Sequence, residues 1–169
     1  MKTVQVVGTL VVVAWMSGLS LPVSAATQVI VDDGIAALNV TAENPPYTMT
    51  AEDAAAILAT GITEFRKTGA GTLVADASHA SLATFAGTIR IQNGIYKIAV
   101  AGDCGADGCT IRVESSEVGK GQLYVDNGST ALDLNNRRFH VAGTGPDEKG
   151  AIYFGSSGIS VGHFRPPES

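Results

Sequence analysis

Residues 85–96, FAGTIRIQNGIY, hold the pattern that decides the fold of this chain. Polar and apolar side chains alternate strictly from Thr88 to Gln92, and Asn93 and Gly94 follow directly. Successive side chains of a β-strand point to opposite faces, so this stretch predicts a strand with one buried and one solvent-facing side. Asn and Gly tolerate the positive φ that a sharp corner or a type I′ hairpin requires.

The same alternation recurs in residues 110–114, 122–126 and 138–141, and again around Ile152 and Phe154. The positions predicted to face the interior are Ile89, Ile91, Ile111, Val113, Leu123, Val125, Phe139, Val141, Ile152 and Phe154. The positions predicted to face solvent are Arg90, Arg112, Tyr124, His140 and Tyr153. The sequence therefore predicts several short strands, each with one wet face.

The strands also resemble one another. Residues 87–94 align with residues 121–128, and a Gly-x-Leu/Ile opening recurs at Gly71, Gly87, Gly121 and Gly150. Repeat units that cannot close their own core must stack on neighbours, which favours a solenoid. A β-sandwich or hairpin array remains the alternative, because Asn-Gly pairs at positions 93–94 and 127–128 are strong hairpin signals.

Composition agrees with a turn-rich β protein. The chain has 169 residues, the length of about one domain. Charged residues make up 16% of it and 20 residues are glycine, against typical values of about 25% charged and about 7% glycine. The formal net charge of −5 gives no electrostatic signature of a nucleic-acid partner.

Residues 1–26 predict a cleaved secretory signal peptide. Lys2 precedes an apolar run over residues 4–16, and small residues around Ala25 and Ala26 suit a cleavage site. The run is shorter than the roughly 20 residues that a membrane span needs. We expect a chain secreted or held in a bacterial cell envelope, at the outer surface or in the periplasm, without a membrane span after cleavage.

The predicted organisation has three parts: the signal peptide 1–26, a cap-like segment 27–61 with one short helix, and a β-helix repeat region 62–169. Thr50 is suited to cap the helix, and Glu52 and Asp53 fill its acidic first turn. Gly61 is expected to end it. The repeat region is expected to be incomplete at its C-terminal end.

Residues 65–74, FRKTGAGTLV, together with residues 85–96 resemble the autotransporter-associated β-strand repeat. Residues 139–152, FHVAGTGPDEKGAI, resemble a segment that often follows such repeats in large secreted bacterial proteins. The positions that match the repeat are Lys67, Gly69, Gly71, Thr72, Leu73, Phe85, Gly87, Ile89, Gly94 and Tyr96.

The resemblance implies a right-handed parallel β-helix from the passenger region of a surface or secreted protein. It implies no active site and no cofactor, since the matched residues are structural. The chain departs from the family by having one clear repeat and no room for a translocator barrel, so we expect a truncated reading frame or a small relative. An uncapped apolar coil end predicts self-association.

Cys104 and Cys109, an even pair in an exported chain, predict one disulfide. The same stretch partly matches a calcium loop, with Asp103, Asp107, Gly108 and Glu114 at ligand or turn positions. Gly105 stands where an oxygen ligand is needed and no helices flank the loop. A polar turn without a metal is therefore favoured.

No catalytic set is predicted. His79, His140 and His163 are isolated, and a nucleophile elbow is missing from the sequence. Asp32 and Asp33 are adjacent, so on an extended strand they point to opposite faces, which suits glycoside chemistry poorly. Arg137 with Arg138 is expected in a solvated turn, and residues 143–150 form a loop rather than a phosphate site.

Arg90, Arg112, Tyr124 and Tyr153 form the best predicted binding surface, a stripe suited to carbohydrate or protein contact if the registers align. The preferred hypothesis is a non-enzymatic, adhesin-like β-helix segment. The alternatives are a carbohydrate-active β-helix enzyme and a small secreted β-sandwich binding module. The scarcity of acids on the alternating strands counts against the enzyme.

Overall fold

The computed structural model describes residues 28–41, 45–75, 81–116, 119–128, 132–134 and 136–155. The described chain is mostly β-strand with one α-helix. The predicted signal peptide, His79 and His163 lie outside these residues. Within the same ranges, no helix is both long and apolar enough to cross a membrane.

Twelve strands and one α-helix follow one another along the described ranges. In chain order they are β1 (Val29–Asp32), β2 (Ile35–Asn39), β3 (Tyr47–Thr48), α1 (Ala51–Ile57), β4 (Glu64–Thr68), β5 (Thr72–Val74), β6 (Thr88–Ile91), β7 (Gly94–Ile98), β8 (Thr110–Val113), β9 (Ser115–Ser116), β10 (Gly119–Val125), β11 (Arg138–Val141) and β12 (Ile152–Phe154). Two short 3-10 helices, Ala101–Cys104 and Pro146–Glu148, join some of them.

The strands form two sheets. Sheet A has the order β1-β2-β4-β6-β8-β11, and sheet B has the order β12-β10-β7-β5-β3, with β9 attached to β10. From β2 onward, apart from the short β9, each strand lies in the opposite sheet from its predecessor. Among the described strands, antiparallel pairing is confined to β1 with β2 and β9 with β10. A hairpin array would instead pair consecutive strands antiparallel.

The parallel strands are paired so that apolar residues lie opposite apolar residues. Phe65 is opposite Ile89, Ile89 is opposite Ile111, and Ile111 is opposite Phe139. Because side chains alternate across a strand, this register places apolar residues of successive strands on one side and charged residues on the other. The predicted alternation is confirmed for β6 and β8.

The pair Asn93 and Gly94 forms a corner between the sheets and not a hairpin. Strand β6 ends at Ile91 in sheet A, and β7 begins at Gly94 in sheet B. Gly94 has φ +68°, a conformation that glycine adopts without steric cost. The predicted alignment of residues 87–94 with 121–128 is not a stacking relation, because Gly121 is opposite Gly94.

The core lies between the two sheets. Ile89, Ile91, Ile111, Val113, Leu123 and Val125, all predicted to face inward, are at most 1% exposed. The prediction is wrong at Val141 and Phe154, which are 45% and 38% exposed. These two residues belong to β11 and β12, which end their sheets in the described part of the chain, so no described strand covers them.

Helix α1 begins as predicted and ends earlier. Thr50 accepts a hydrogen bond from the Asp53 amide (3.2 Å), and the Asp53 carboxylate accepts one from the Thr50 amide (2.9 Å). This reciprocal capping box satisfies two amides that lack helical partners. The helix ends at Ile57 and not beside Gly61. Its buried residues include Ala54 and Ile57, which pack into the core.

Candidate functional surfaces

The outer face of sheet A carries a row of cations. Arg66 on β4, Arg90 on β6 and Arg112 on β8 are successive Cα partners, and His140 on β11 continues the row. Neighbouring strands are about 4.8 Å apart. Three arginines therefore lie within roughly 10 Å along the sheet, an arrangement that is unfavourable unless opposite charges lie nearby.

Two glutamates supply part of that opposite charge. Glu64 accepts hydrogen bonds from Arg66 (2.9 and 2.6 Å) and Arg90 (3.4 Å). Glu114 lies 3.1 Å from the Arg90 guanidinium and 3.9 Å from that of Arg112. The shortest of these ion pairs is that of Arg66 with Glu64, and the longest is that of Arg112 with Glu114. Arg112, whose side chain is 47% exposed, has the weakest pairing of the three arginines.

The predicted stripe is divided between the two sheets. Arg90 and Arg112 are opposite each other in sheet A, and Tyr124 and Tyr153 are opposite each other in sheet B. The four residues therefore do not form one surface. The registers needed to foresee this could not be inferred from the alternation alone, because alternation assigns an inner or outer face and not a sheet.

Tyr124 and Tyr153 form a stacked column whose ring faces are covered by neighbouring side chains. Their rings stack with centroids 5.2 Å apart and an interplanar angle of 23°. The Lys97 ammonium lies 5.3 Å from the Tyr124 ring, and the Lys149 ammonium lies 5.7 Å from the Tyr153 ring. Such cation–π contacts stabilise the column. The rings face one another and the lysines, so the flat faces that stack on sugars are already occupied.

Lys67 is a buried cation that the sequence reasoning noted only as a motif position. It lies on β4, is 0% exposed, and its Nζ donates hydrogen bonds to the carbonyls of Gly69 (2.6 Å), Gly71 (2.6 Å) and Asn93 (2.7 Å). Burial lowers the pKa of Lys67 to about 7, whereas three carbonyl acceptors favour the ammonium. Lys67 lies two positions after Phe65 on β4, so the alternation of side chains along a strand indicates that both face inward.

The residues that match the repeat lie on four consecutive strands, β4 to β7, and the corners between them. Lys67, Leu73, Ile89 and Tyr96 are fully buried, and Phe85 is 4% exposed. The Tyr96 hydroxyl donates to the Asp103 carbonyl (2.7 Å). Gly69 is at φ +76°, and a β-carbon there would overlap the Val40 backbone. These positions serve packing and turning.

Cys104 and Cys109 are both buried and are free thiols in this structure, and the disulfide between them stays a prediction. The Cys109 thiol donates a hydrogen bond to the Gly87 carbonyl on the neighbouring coil (3.1 Å). Burial raises the pKa of Cys109 to about 11 and that of Cys104 still further. Thiols are the nucleophile only when ionised, so both are weakly reactive in this setting.

The residues of the partial calcium motif face different partners. Asp103 accepts hydrogen bonds from the amides of Ala99 (2.9 Å) and Val100 (3.0 Å), which closes its own turn. Asp107 accepts one from the Asn136 side chain (3.0 Å). Glu114 belongs to the sheet A ion pairs. In the described ranges, no three His, Cys, Asp or Glu side chains are grouped as metal ligands.

Two further predictions need correction. Arg137 is not solvated: its side chain is 9% exposed and donates to the Gly105 carbonyl (2.8 Å), while Arg138 is exposed. The Arg137 guanidinium also lies 3.5 Å from the Asp107 carboxylate. Asp33 is not extended, since it occupies the β1–β2 turn with φ +45°. Asp32 and Asp33 are both exposed.

A depression of about 310 Å³ lies beside residues 48–51, at the start of α1. Its lining residues are Thr48, Met49, Thr50 and Ala51. The Thr50 hydroxyl already accepts the capping hydrogen bond from Asp53. None of these four described lining residues carries a carboxylate, imidazole or thiol.

Comparison with known proteins returns no similarity that bears on identity. No family model, no curated protein and no solved structure matches the chain. What the protein does must therefore be inferred from its own residues and their geometry.

Proposed function

We propose that this protein is a non-enzymatic, secreted structural segment of the autotransporter-passenger type, in which sheets A and B are two walls of a right-handed parallel β-helix. Its role is that of a rigid stalk whose outer faces display binding groups. The observation that carries the proposal is the regular passage of the chain from one sheet to the other, with parallel, in-register partners in each sheet.

The handedness follows from general strand geometry. A connection between parallel strands of one sheet is right-handed in nearly all proteins because strands twist to the right. Strands β4 and β6 are such a pair, and β5 lies between them in the other sheet. A right-handed coil is therefore the expected path.

The absence of catalysis is supported by how the polar side chains are used. Glu64 and Glu114 are engaged with arginines, Asp103 with backbone amides, and Asp53 with the Tyr47 hydroxyl (2.7 Å) and the helix cap. A glycosidase needs two carboxylates facing one bond at about 5–10 Å. The buried acids named here are committed to intramolecular contacts on separate elements.

The stacking is tested by cysteine pairs. Thr88 and Thr110 are Cα partners in sheet A, whereas Thr72 lies in sheet B. In a C104A/C109A background, T88C/T110C should oxidise to a disulfide, since parallel partners lie within the roughly 4.4–6.8 Å Cα range that a disulfide spans. The matched control T88C/T72C should stay reduced.

Far-UV circular dichroism verifies that each variant is folded. A folded T88C/T110C protein that does not cross-link would contradict the coil. Release of reducing ends from a panel of polysaccharides, above a heat-inactivated control, would contradict the non-enzymatic role and favour the carbohydrate-active alternative.

A further inference from the structure

The charge on the outer face of sheet A is unevenly balanced. The outward positions of β4, β6, β8 and β11 carry Arg66, Arg90, Arg112 and Arg138, together with His140. The acids beside these residues are Glu64 and Glu114, while Asp32 on β1 lies on the same face at the opposite edge of sheet A. Four arginines thus meet two glutamates on a protein whose overall formal charge is −5.

The excess positive charge lies toward β11. Glu64 is occupied by Arg66 and Arg90, and Glu114 lies closer to Arg90 than to Arg112. Arg138 and His140, both exposed, are the next outward residues on β11. Arg112 and Arg138 are therefore the arginines of this face that are least neutralised.

The side chains around these arginines are polar. Thr88 and Thr110 are opposite each other, and Gln92 donates a hydrogen bond to the Glu114 carboxylate (3.3 Å). Hydroxyl and amide groups suit the hydroxyls of a sugar chain. Ile30 on β1, an exposed apolar residue of this face, lies at the opposite edge of sheet A, so it offers no membrane anchor beside Arg112 and Arg138. Single-stranded nucleic acid would need exposed aromatic faces for its bases. The stacked pair Tyr124 and Tyr153 lies on the other sheet.

We propose that the β11 side of the sheet A face binds a linear anionic polysaccharide, whose carboxylate or sulfate groups contact Arg112 and Arg138. Arg112 and Arg138 lie on neighbouring strands about 4.8 Å apart and are offset by two positions along them, since Arg138 is the Cα partner of Thr110. Two cationic groups close together on one face complement a polymer with recurring acids. Arginine presents paired donors that match carboxylate or sulfate oxygens. This inference rests on the proposed display role and names the ligand class for it.

The experiment uses the full mature chain, residues 27–169, and calorimetric titration with polygalacturonate, dextran sulfate and neutral dextran. The test variant is R112Q/R138Q. The matched control is K120Q/K149Q, which removes the same charge from exposed lysines outside this row. We expect binding of at least one anionic polymer, no binding of neutral dextran, and about tenfold weaker binding in the test variant, as for the loss of charge-assisted contacts.

The carboxylated and sulfated polymers distinguish which acid is recognised. Binding should weaken as salt rises from about 20 to about 300 mM, because the screening length falls from about 20 Å to about 6 Å. The proposal is overturned if neither polymer binds, if both variants weaken binding equally, or if single-stranded DNA binds as tightly as the polysaccharides.

The two experiments distinguish failure of the ligand inference from failure of the proposed function. If T88C/T110C cross-links and no polysaccharide binds, the coil stands and only the ligand inference falls. If T88C/T110C is folded but does not cross-link, the proposed coil is wrong. The ligand inference then also fails, because it depends on the strand spacing within that coil.

Discussion

At the scale of single residues, Lys67 is a buried amine that requires several hydrogen-bond acceptors. Its ammonium has three donors, and three backbone carbonyls lie at 2.6–2.7 Å. A buried charge without such acceptors would cost several kcal/mol. The alternation predicts the inward position of Lys67, but the two corners that bring Gly71 and Asn93 to it cannot be deduced from local sequence.

Lys67 should give stability a distinctive pH dependence. With a folded pKa of about 7 and an ordinary value of 10.5, the unfolded chain binds more protons than the folded chain between these limits. Stability then rises with pH across that interval, by at most about 1.4 kcal/mol per pH unit. Urea unfolding of wild type and K67M at pH 7, 8 and 9 measures the difference.

K67M should also be less stable overall, by about 3 kcal/mol, because the hydrogen bonds of Lys67 to the Gly69, Gly71 and Asn93 carbonyls are lost and only Gly71 keeps another donor, the Ile95 amide. K67Q serves if K67M does not fold. A wild-type-minus-variant difference that stays flat from pH 7 to 9 would show that the carbonyls keep the amine charged throughout, with its pKa near or above the ordinary value.

The two thiols should be protected in the folded protein. Burial raises the pKa of both cysteines, so little thiolate is available for attack near neutral pH. We expect Cys104 and Cys109 to react slowly with a disulfide reagent in buffer and rapidly in denaturant. Mass spectrometry after alkylation distinguishes the free thiols from a disulfide, and rapid labelling under native conditions would contradict their burial.

At the scale of elements, α1 depends on its capping box. T50A removes the acceptor for the Asp53 amide and should cost about 1 kcal/mol. The control T48A makes the same chemical change at an exposed position outside the cap. Urea denaturation should separate the two variants, and equal losses would mean that the cap contributes nothing specific.

The positions of the strands and of the helix were easier to predict from the sequence than the pairing of the strands in sheets. The strands around Ile89, Ile111 and Leu123 and the start of α1 follow from local alternation and capping chemistry. Sheet membership does not, because Arg90 and Tyr124 have the same outward parity and lie in different sheets. Half of the candidate surface could therefore be predicted from the sequence. Arg90 and Arg112 lie next to each other in sheet A, but Tyr124 and Tyr153 lie in sheet B.

At the scale of the whole molecule, the last described strand of each sheet carries an exposed apolar residue. Val141 on β11 and Phe154 on β12 lie on the inward side of the last described strands of their sheets, where no described strand covers them, and they are 45% and 38% exposed. Unpaired strand edges and apolar ends favour association with another chain. This gives physical detail to the predicted self-association.

The test is sedimentation at tens of micromolar. We expect wild type to associate, and V141K to shift toward monomer because a charge on an edge strand opposes pairing. V100K is the matched control, since Val100 is 43% exposed and lies outside the edge strands. A wild-type protein that sediments as a monodisperse monomer would contradict the prediction.

The Lys67 contacts also bear on the order in which the chain can fold. Two of its carbonyl acceptors come from residues that follow it closely, and the third comes from Asn93, 26 positions later. A nascent chain that has reached only the first corner holds an incompletely solvated cation in its interior. The hydrogen bonding of Lys67 is therefore complete only once the segment that contains Asn93 is in place.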